Sequence, residues 1–264
     1  MPFPEKHRVS YGKNPLDKVI CQLRFPPILK IDAELPSAFQ EFIRMDYPLY
    51  SEKVTFQQEI AIGIKPHDPQ EMIRRFTNPS STKNHEFCSQ DRSCRINLTR
   101  TSLSMSITKY ACWEDFIRKF KNVYDAFLSL YPPPFFIRIG LRYIDIIDRS
   151  KLGLTDVNWN ELLQPYFLGL LAKVEIEKNV KSFNNIYELN LLDNESFLKM
   201  STSFVQNAKT GEKCFMVDSD FNTPKRTDPN NVFSKLEFLH VRANRLIQWI
   251  ITEKLHNALE PRTI

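Results

Sequence analysis

Glycine is the residue in shortest supply in this chain. Its 264 residues include six glycines, about 2%, where roughly 7% is usual. Neither the GxGxxG fingerprint nor the GxxxxGK[ST] loop occurs, and both need glycine for the backbone to approach phosphates. The GxSxG, HExxH and CxxC motifs are missing as well. These absences exclude dinucleotide-binding and P-loop enzymes and leave no catalytic motif to follow.

Long apolar segments and paired cysteines are also absent. No run of 18 apolar residues occurs, and residues 1–15 contain no apolar core of a signal peptide. The number of cysteines is odd, and their spacing fits no zinc site. Four of them lie in apolar, periodic segments, which predicts reduced core thiols and a cytoplasmic protein. The five cysteines are Cys21, Cys88, Cys94, Cys112 and Cys214.

The remaining composition is that of a globular protein with many aromatic residues. Hydrophobic residues make up 42% and charged residues 25%, and 20 residues are Phe. We therefore expect a folded chain with an aromatic core. The formal net charge of +5 is mild. It permits a nucleic-acid partner without arguing for one.

Periodicity divides the chain into an N-terminal arm, residues 1–16, and two halves, residues 17–131 and 135–264. In the first half, proline residues end the first strand and the long helix. Its predicted elements are a strand at 16–25, a helix at 35–45, strands at 57–65, 85–90, 94–98 and 103–108, and a helix at 113–130, with a loop or insertion at 66–84. The second half is predicted as a strand at 135–147, a helix at 158–171, strands at 184–192, 196–205 and 213–221, a loop at 222–231 and a long helix at 232–257.

The two halves are predicted to be copies of one β-α-β-β-β-α unit. Leu23 and Leu141 lie 118 residues apart in similar strands, and Trp113 and Phe233 lie 120 apart near the starts of the closing helices. The predicted fold class is therefore α+β, with an antiparallel sheet curled around helices. The arrangement is analogous to the helix-grip and TATA-binding-protein folds, and this analogy carries no function by itself.

The chain resembles a sporadically distributed, uncharacterised bacterial family of about this length. The segments that carry the resemblance are NPLDKVICQLRFP at 14–26, YPLYSEK at 47–53, residues 87–110 with WEDF at 113–116, RIGLRYID at 138–145, and Leu239-His240. The resemblance implies a bacterial cytoplasmic protein of a defence or toxin–antitoxin type of locus. It brings no established catalytic residues.

Arg24 and Arg142 are predicted at equivalent positions on the first strands of the two halves. Alternation places them on the face opposite the apolar side chains of those strands. Two guanidinium groups so placed can clamp a phosphate or a carboxylate. The simpler interpretation is a salt bridge to an acid on a neighbouring strand, such as Asp145 or Glu188.

Three acidic residues form the alternative candidate site. Asp218 and Asp220 share one face of a strand, and with Asp145 they could hold a metal ion for nucleotide chemistry. The same segment starts like a calcium loop, but Thr223 stands where glycine is needed and Pro229 where glutamate is needed. The simpler interpretation is an acidic strand end with turn-forming residues.

The last helix is predicted to have two distinct faces. The buried seam consists of Val232, Leu236, Leu239, Ala243, Leu246 and Ile250. The second face is basic and aromatic, and it suits a nucleic acid or a protein partner. That face consists of Arg242, Arg245, Trp249 and Thr252, with Lys225 and Arg226 in the preceding loop.

We therefore expect a non-enzymatic binding protein that contacts a protein, or alternatively a nucleic acid, through its sheet face and the basic face of the last helix. No catalytic residue, metal site or cofactor is predicted, because the five histidines are scattered. One alternative is a metal-dependent nuclease or nucleotidyltransferase using Asp145, Asp218 and Asp220, with Arg24 and Arg142 on the phosphates. Another is a small-ligand carrier with a cavity under the long helix. Glycines inside strands, Gly63 and Gly140, are expected to mark a bulge or a close backbone approach where the sheet curves around a helix.

Overall fold

Alternating apolar and polar residues place nine antiparallel strands in one sheet, in a computed structural model that describes residues 3–56 and 81–263. The strands are β1 (Val9–Tyr11), β2 (Leu16–Arg24), β3 (Leu49–Phe56), β4 (Ser81–Cys88), β5 (Cys94–Thr99), β6 (Ser102–Ile107), β7 (Arg138–Ile147), β8 (Asn184–Asn190), β9 (Phe197–Gln206), β10 (Lys213–Thr223) and β11 (Pro261–Thr263). The helices are α1 (Lys30–Ala33), α2 (Ser37–Ile43), α3 (Trp113–Leu130), α4 (Trp159–Leu162), α5 (Pro165–Leu168), α6 (Val174–Glu177), α7 (Val232–Ile250) and α8 (Glu253–Ala258).

The order of strands in the sheet is β3-β4-β5-β6-β2-β7-β10-β9-β8. The first strand of each half lies at the centre, where β2 pairs with β7, and the last strand of each half lies beside it. Both halves therefore build one sheet. The α+β class, the large antiparallel sheet and the long C-terminal helix are as predicted. Among the described residues the first half contributes five strands to this sheet and the second half four, so the two are not identical units.

The helices pack on one face of the sheet, and an aromatic core fills the space between. α3 and α7 meet through side chains, with the rings of Trp113 and His240 stacked at 4.1 Å and those of Tyr124 and Phe233 at 5.2 Å. The expected aromatic core is confirmed. Its fully buried phenylalanines include Phe3, Phe25, Phe39, Phe87, Phe116, Phe120, Phe127, Phe136, Phe215 and Phe221.

Two predicted helices are broken into shorter pieces. The helix expected at 158–171 becomes α4, α5 and a 3-10 turn, because Pro165 cannot continue a helix and holds Gln164 in an extended conformation. The last helix ends at Ile250 instead of residue 257. Ile251 is extended and bridges to Leu163, and Thr252 caps α8.

The N-terminal segment is not a free arm. Phe3 is fully buried, and β1 pairs with β11, which ties the start of the described chain to its end. β3 lies in a segment for which no strand was predicted. The strand predicted at 57–65, with Gly63, lies outside the described residues, as does most of the loop predicted at 66–84.

The cysteines match the prediction of core thiols, since all five are free and four of them are buried. Within residues 3–56 and 81–263, no helix has both the length and the apolar character needed to cross a membrane.

Candidate functional site

The face of the sheet opposite the helices displays the polar side chains of every strand. In the central strands these include Arg24 and Gln22 of β2, and Arg138 and Arg142 of β7. The apolar residues that alternate with them are buried against the helices. None of the described helices packs on this open face, so its polar side chains are not covered by a helix.

Arg142 forms a two-point ion pair across the sheet with Asp218 of β10. Its Nε donates to Oδ1 at 2.6 Å, and its Nη2 donates to Oδ2. The expectation of a structural salt bridge is therefore correct for Arg142, but the partner is neither Asp145 nor Glu188. The Nε and Nη2 edge of the guanidinium is occupied by Asp218, and this carboxylate would repel a phosphate bound beside it.

A second arginine on the open face, Arg138, was not singled out from the sequence. Its Nη2 donates to both carboxylate oxygens of Asp220, at 2.7 and 2.8 Å, and its Nη1 donates to Gln22 at 3.1 Å. The guanidinium lies over Gly140, where an added Cβ would stand 2.3 Å from Nη1. The alternation R-x-G-x-R in β7 is the sequence signal that places this glycine between two arginines on one face.

The three predicted acids do not converge. Asp218 and Asp220 share the open face, as predicted, and each is bound by an arginine. Asp145 lies on the opposite, helix-covered face, in register with Val217 of β10. No group of three potential metal ligands exists among the residues that the structure describes. The three acids therefore do not form the shared metal site that the nuclease alternative required.

Arg24 differs from the other arginines of the open face. It is exposed near the centre of the sheet, and it forms no ion pair with any described residue. Lys225 reaches Glu195 at 3.5 Å, and Arg226 lies 4.0 Å from the centre of the Phe135 ring. Arg24 is therefore a predicted binding residue of the open face whose charge remains available to a partner.

The basic face of α7 is covered, contrary to expectation. Arg242 donates to the carbonyl of Phe238 at 2.7 Å and lies over that ring, and Arg245 pairs with Glu5 at 3.3 Å. The N-terminal segment runs along this helix, since the side-chain amides of Asn244 and Gln248 donate to the carbonyls of Val9 and His7. These backbone contacts hold the segment in place.

Trp249 is enclosed between two rings. Phe3 lies 5.3 Å and Tyr166 4.7 Å from it. The second face of the helix therefore serves as a docking groove for the chain's own N-terminus. It is not a surface open to nucleic acid.

A pocket lies between α7 and the central strands, on the helix-covered face. Its volume is about 100 Å³. The α7 side contributes His240, Ala243, Leu246 and Ile247, and the sheet contributes Tyr143, Asp145, Val217 and Ser219. Residues from the N-terminal segment and the start of α3 close the sides, among them Arg8, Tyr11, Tyr110 and Trp113. The cavity that the ligand-carrier alternative required is therefore present.

The titratable groups of this pocket are displaced from their ordinary values by burial. Burial raises the pKa of Asp145 to about 7 and lowers the pKa of His240 to about 3. His240 Nδ1 is bonded to the hydroxyl of Tyr143 at 2.9 Å, whereas its Nε2 has no partner among the described residues. His240 therefore stays neutral, and Asp145 changes charge near neutral pH.

Comparisons with family models, curated proteins and solved structures found no match for this chain. Its function is therefore argued from the geometry of the open face and the pocket.

Proposed function

We propose that this chain is a non-enzymatic binding protein whose open sheet face contacts a partner protein. The observation that carries the proposal is the uncovered face itself, which nine strands build and which no described helix covers. Its central arginines are held in fixed orientations by Asp218 and Asp220. A surface whose charged groups are already positioned loses little side-chain entropy on binding.

The charge pattern of the face favours a protein over a nucleic acid. Cations and anions alternate there, with Lys53 and Arg95 on Glu86, and Lys199 on Glu188. A phosphate backbone would meet these carboxylates as well as the basic groups, which weakens binding. A protein surface can match both signs, and Arg is enriched in such contacts.

The test uses tagged protein isolated from its native host, with cross-linking from Lys18 and Lys199 on the open face. Wild-type protein is compared with Arg24→Glu, because Arg24 is exposed and makes no ion pair with the described residues. Lys209→Glu is the matched control, since Lys209 is an exposed residue in the hairpin between β9 and β10. We expect one partner protein, cross-linked to these lysines, that Lys209→Glu retains and Arg24→Glu loses by about tenfold or more.

Three outcomes overturn the proposal. The first is a protein that purifies without a partner. The second is a partner cross-linked only outside the open face and retained by Arg24→Glu. The third is material whose ultraviolet absorbance is removed by nuclease, which would identify nucleic acid as the bound species.

We further propose that the sheet arose by internal duplication. The equivalence that relates Leu23 to Leu141 also relates Gln22 to Gly140, and these two residues are paired with each other where β2 meets β7. A pair formed by equivalent residues is what a local two-fold axis requires. The placement of the first strand of each half at the centre, and of its last strand next to it, supports the same relationship. The bacterial defence locus remains part of the proposal and rests on the family resemblance alone.

A further inference from the structure

The pocket under α7 contains an acid without a partner. The Asp145 carboxylate accepts no hydrogen bond and forms no ion pair with any residue that the structure describes, although it lies in a central strand. The Asp145 side chain is half-buried, so its carboxylate has lost part of its hydration without gaining a compensating contact, which costs folding free energy. A cation bound beside the Asp145 carboxylate would compensate this charge.

Other titratable groups around the pocket already have hydrogen-bond partners. Arg8 is bound to both carboxylate oxygens of Glu114, at 2.6 and 3.2 Å. Glu237 accepts from the indole Nε1 of Trp113 at 2.6 Å. His240 is neutral and stacked on the Trp113 ring. Of the charged side chains that line the pocket, Arg8 has a carboxylate partner and Asp145 has none among the described residues, and the negative charge of Asp145 favours a cation over an anion.

The walls select the kind of cation. Tyr11, Tyr110, Tyr143 and Trp113 contribute aromatic rings, and α7 adds aliphatic side chains beside the polar His240 and Asn244. Aromatic rings stabilise alkylated ammonium groups through cation–π contacts while packing against their carbon atoms. A divalent metal would need several oxygen or nitrogen ligands, and no group of three exists among the described residues.

The size of the pocket limits the ligand. An engineered apolar cavity of about 150 Å³ accepts benzene, with six heavy atoms. A pocket of about 100 Å³ therefore accommodates roughly four heavy atoms by the same measure. Propylammonium and trimethylammonium both have this size, and a bare alkali ion would leave most of the space empty.

We propose that the pocket between α7 and strands β7 and β10 binds a small organic ammonium ion, with Asp145 as its counter-ion. This site lies on the opposite face of the sheet from the proposed partner surface. It goes beyond the proposed partner contact and does not depend on it. The ammonium nitrogen would lie against the Asp145 carboxylate, and its alkyl groups would contact the tyrosine rings and the aliphatic side chains of α7.

The experiment is calorimetric titration of the whole protein above neutral pH with propylammonium chloride and with trimethylammonium chloride. Sodium chloride at the same ionic strength, 1-propanol and sodium propionate serve as the salt, neutral and anionic controls. We expect saturable binding of at least one ammonium ion and of none of the controls. Asp145→Asn should weaken it by about tenfold or more, because the counter-ion is lost.

Three variants make the test specific. Asp156→Asn removes an exposed carboxylate elsewhere and should leave binding unchanged, and so should Arg24→Glu on the open face. Ala243→Leu keeps the carboxylate and fills the pocket, so it should abolish binding even if Asp145→Asn folds poorly. The proposal is overturned if no ammonium ion binds saturably, if 1-propanol binds equally well, or if Asp145→Asn or Ala243→Leu binds as tightly as wild type.

Discussion

Gln22 and Gly140 lie opposite each other at the centre of the nine-stranded sheet, where the first strands of the two halves pair. The missing side chain of Gly140 makes room for the guanidinium of Arg138, which bonds Gln22 on one side and Asp220 on the other. Three strands are thereby linked by one arginine. The side chains at the centre of the open face are consequently held in place by hydrogen bonds across β2, β7 and β10.

Gly140→Ala should destabilise the protein by about 1 kcal/mol, because the new Cβ displaces the Arg138 guanidinium from both partners. The measurement is denaturant unfolding of Gly140→Ala, Arg138→Ala and the double variant. In the double variant the cost of the alanine at position 140 should disappear, since the displaced group is no longer there. Additive costs would show that Gly140 is needed for another reason.

Phe3→Ala should destabilise the protein by about 3 kcal/mol, since the ring is fully buried against Trp249. It should also make Trp249 accessible to a collisional quencher of fluorescence, whereas Trp113 and Trp159 stay buried. Phe42→Ala is the control, because Phe42 is 63% exposed and its loss should cost no more than about 0.5 kcal/mol. Unchanged quenching in Phe3→Ala would contradict the packing of the N-terminal segment on α7.

Asp145→Asn should stabilise the protein in a pH-dependent way. The folded carboxyl has a pKa of about 7, above its ordinary 3.8, so between these values the unfolded chain releases a proton that the folded chain keeps. The contribution of this carboxyl to the free energy of unfolding of the wild type therefore falls as pH rises from the unfolded to the folded pKa, and it is constant above the folded pKa. The gain in the free energy of unfolding from Asp145→Asn should be near zero at a pH below the ordinary pKa of the carboxyl. It should reach on the order of 2–4 kcal/mol above neutral pH.

The other titratable residues that line the pocket with Asp145 are present in both proteins, and they are Arg8, Tyr11, Tyr110, Cys112, Tyr143 and His240. The comparison of the two unfolding curves across pH therefore isolates the carboxyl. Asp156→Asn, at an exposed site, should differ from wild type by a small and pH-independent amount. If the free energies of unfolding of Asp145→Asn and wild type change in parallel with pH between the two pKa values, the raised pKa of the folded Asp145 carboxyl is contradicted.

Tyr143→Phe should cost about 1–3 kcal/mol, because it leaves both nitrogens of the buried His240 ring without a hydrogen-bond partner. Thermal or denaturant unfolding measures the cost. Tyr110→Phe is the matched control in the same pocket, since the Tyr110 hydroxyl makes no hydrogen bond to a described residue, and its removal should be close to neutral. Equal effects of the two substitutions would argue against the Tyr143–His240 bond.

Strongly periodic segments were predictable because their local pattern and their final environment agree. The helix at 113–130 has the predicted bounds, and the strands of the second half are close to theirs. The breaks at Pro165 and Ile251 were missed, because the helical spacing of apolar residues continues through both positions although the helical backbone is interrupted there. The strand at 49–56 was missed since its sequence lacks simple alternation and its partner, β4, is distant along the chain.

The candidate site was only partly accessible to sequence reasoning. Alternation correctly placed Asp218 and Asp220 on one face of β10, and Arg142 on the face of β7 opposite its apolar side chains, since side chains two residues apart share a face. The same rule puts Asp145 and Arg142, three residues apart in β7, on opposite faces. Relating Asp145 to Asp218 and Asp220 also requires the pairing register of β7 and β10. Strand register is a long-range property, and it decided that Asp145 faces the pocket and Asp218 faces Arg142.

The sequence by itself determined the α+β class, the antiparallel character of the sheet, the aromatic core and the core position of most cysteines. These follow from composition and local periodicity, which act over a few residues. The expected bulge or close backbone approach at Gly140 is wrong, because the Arg138 side chain fills the space beside it. Only the tertiary structure decided that the N-terminal segment covers the basic face of α7, that the arginines of β7 are neutralised by β10, and that a pocket with an unpaired acid remains under α7. Each of these depends on which distant residues meet when β2 and β7 pair and the helices close over one face.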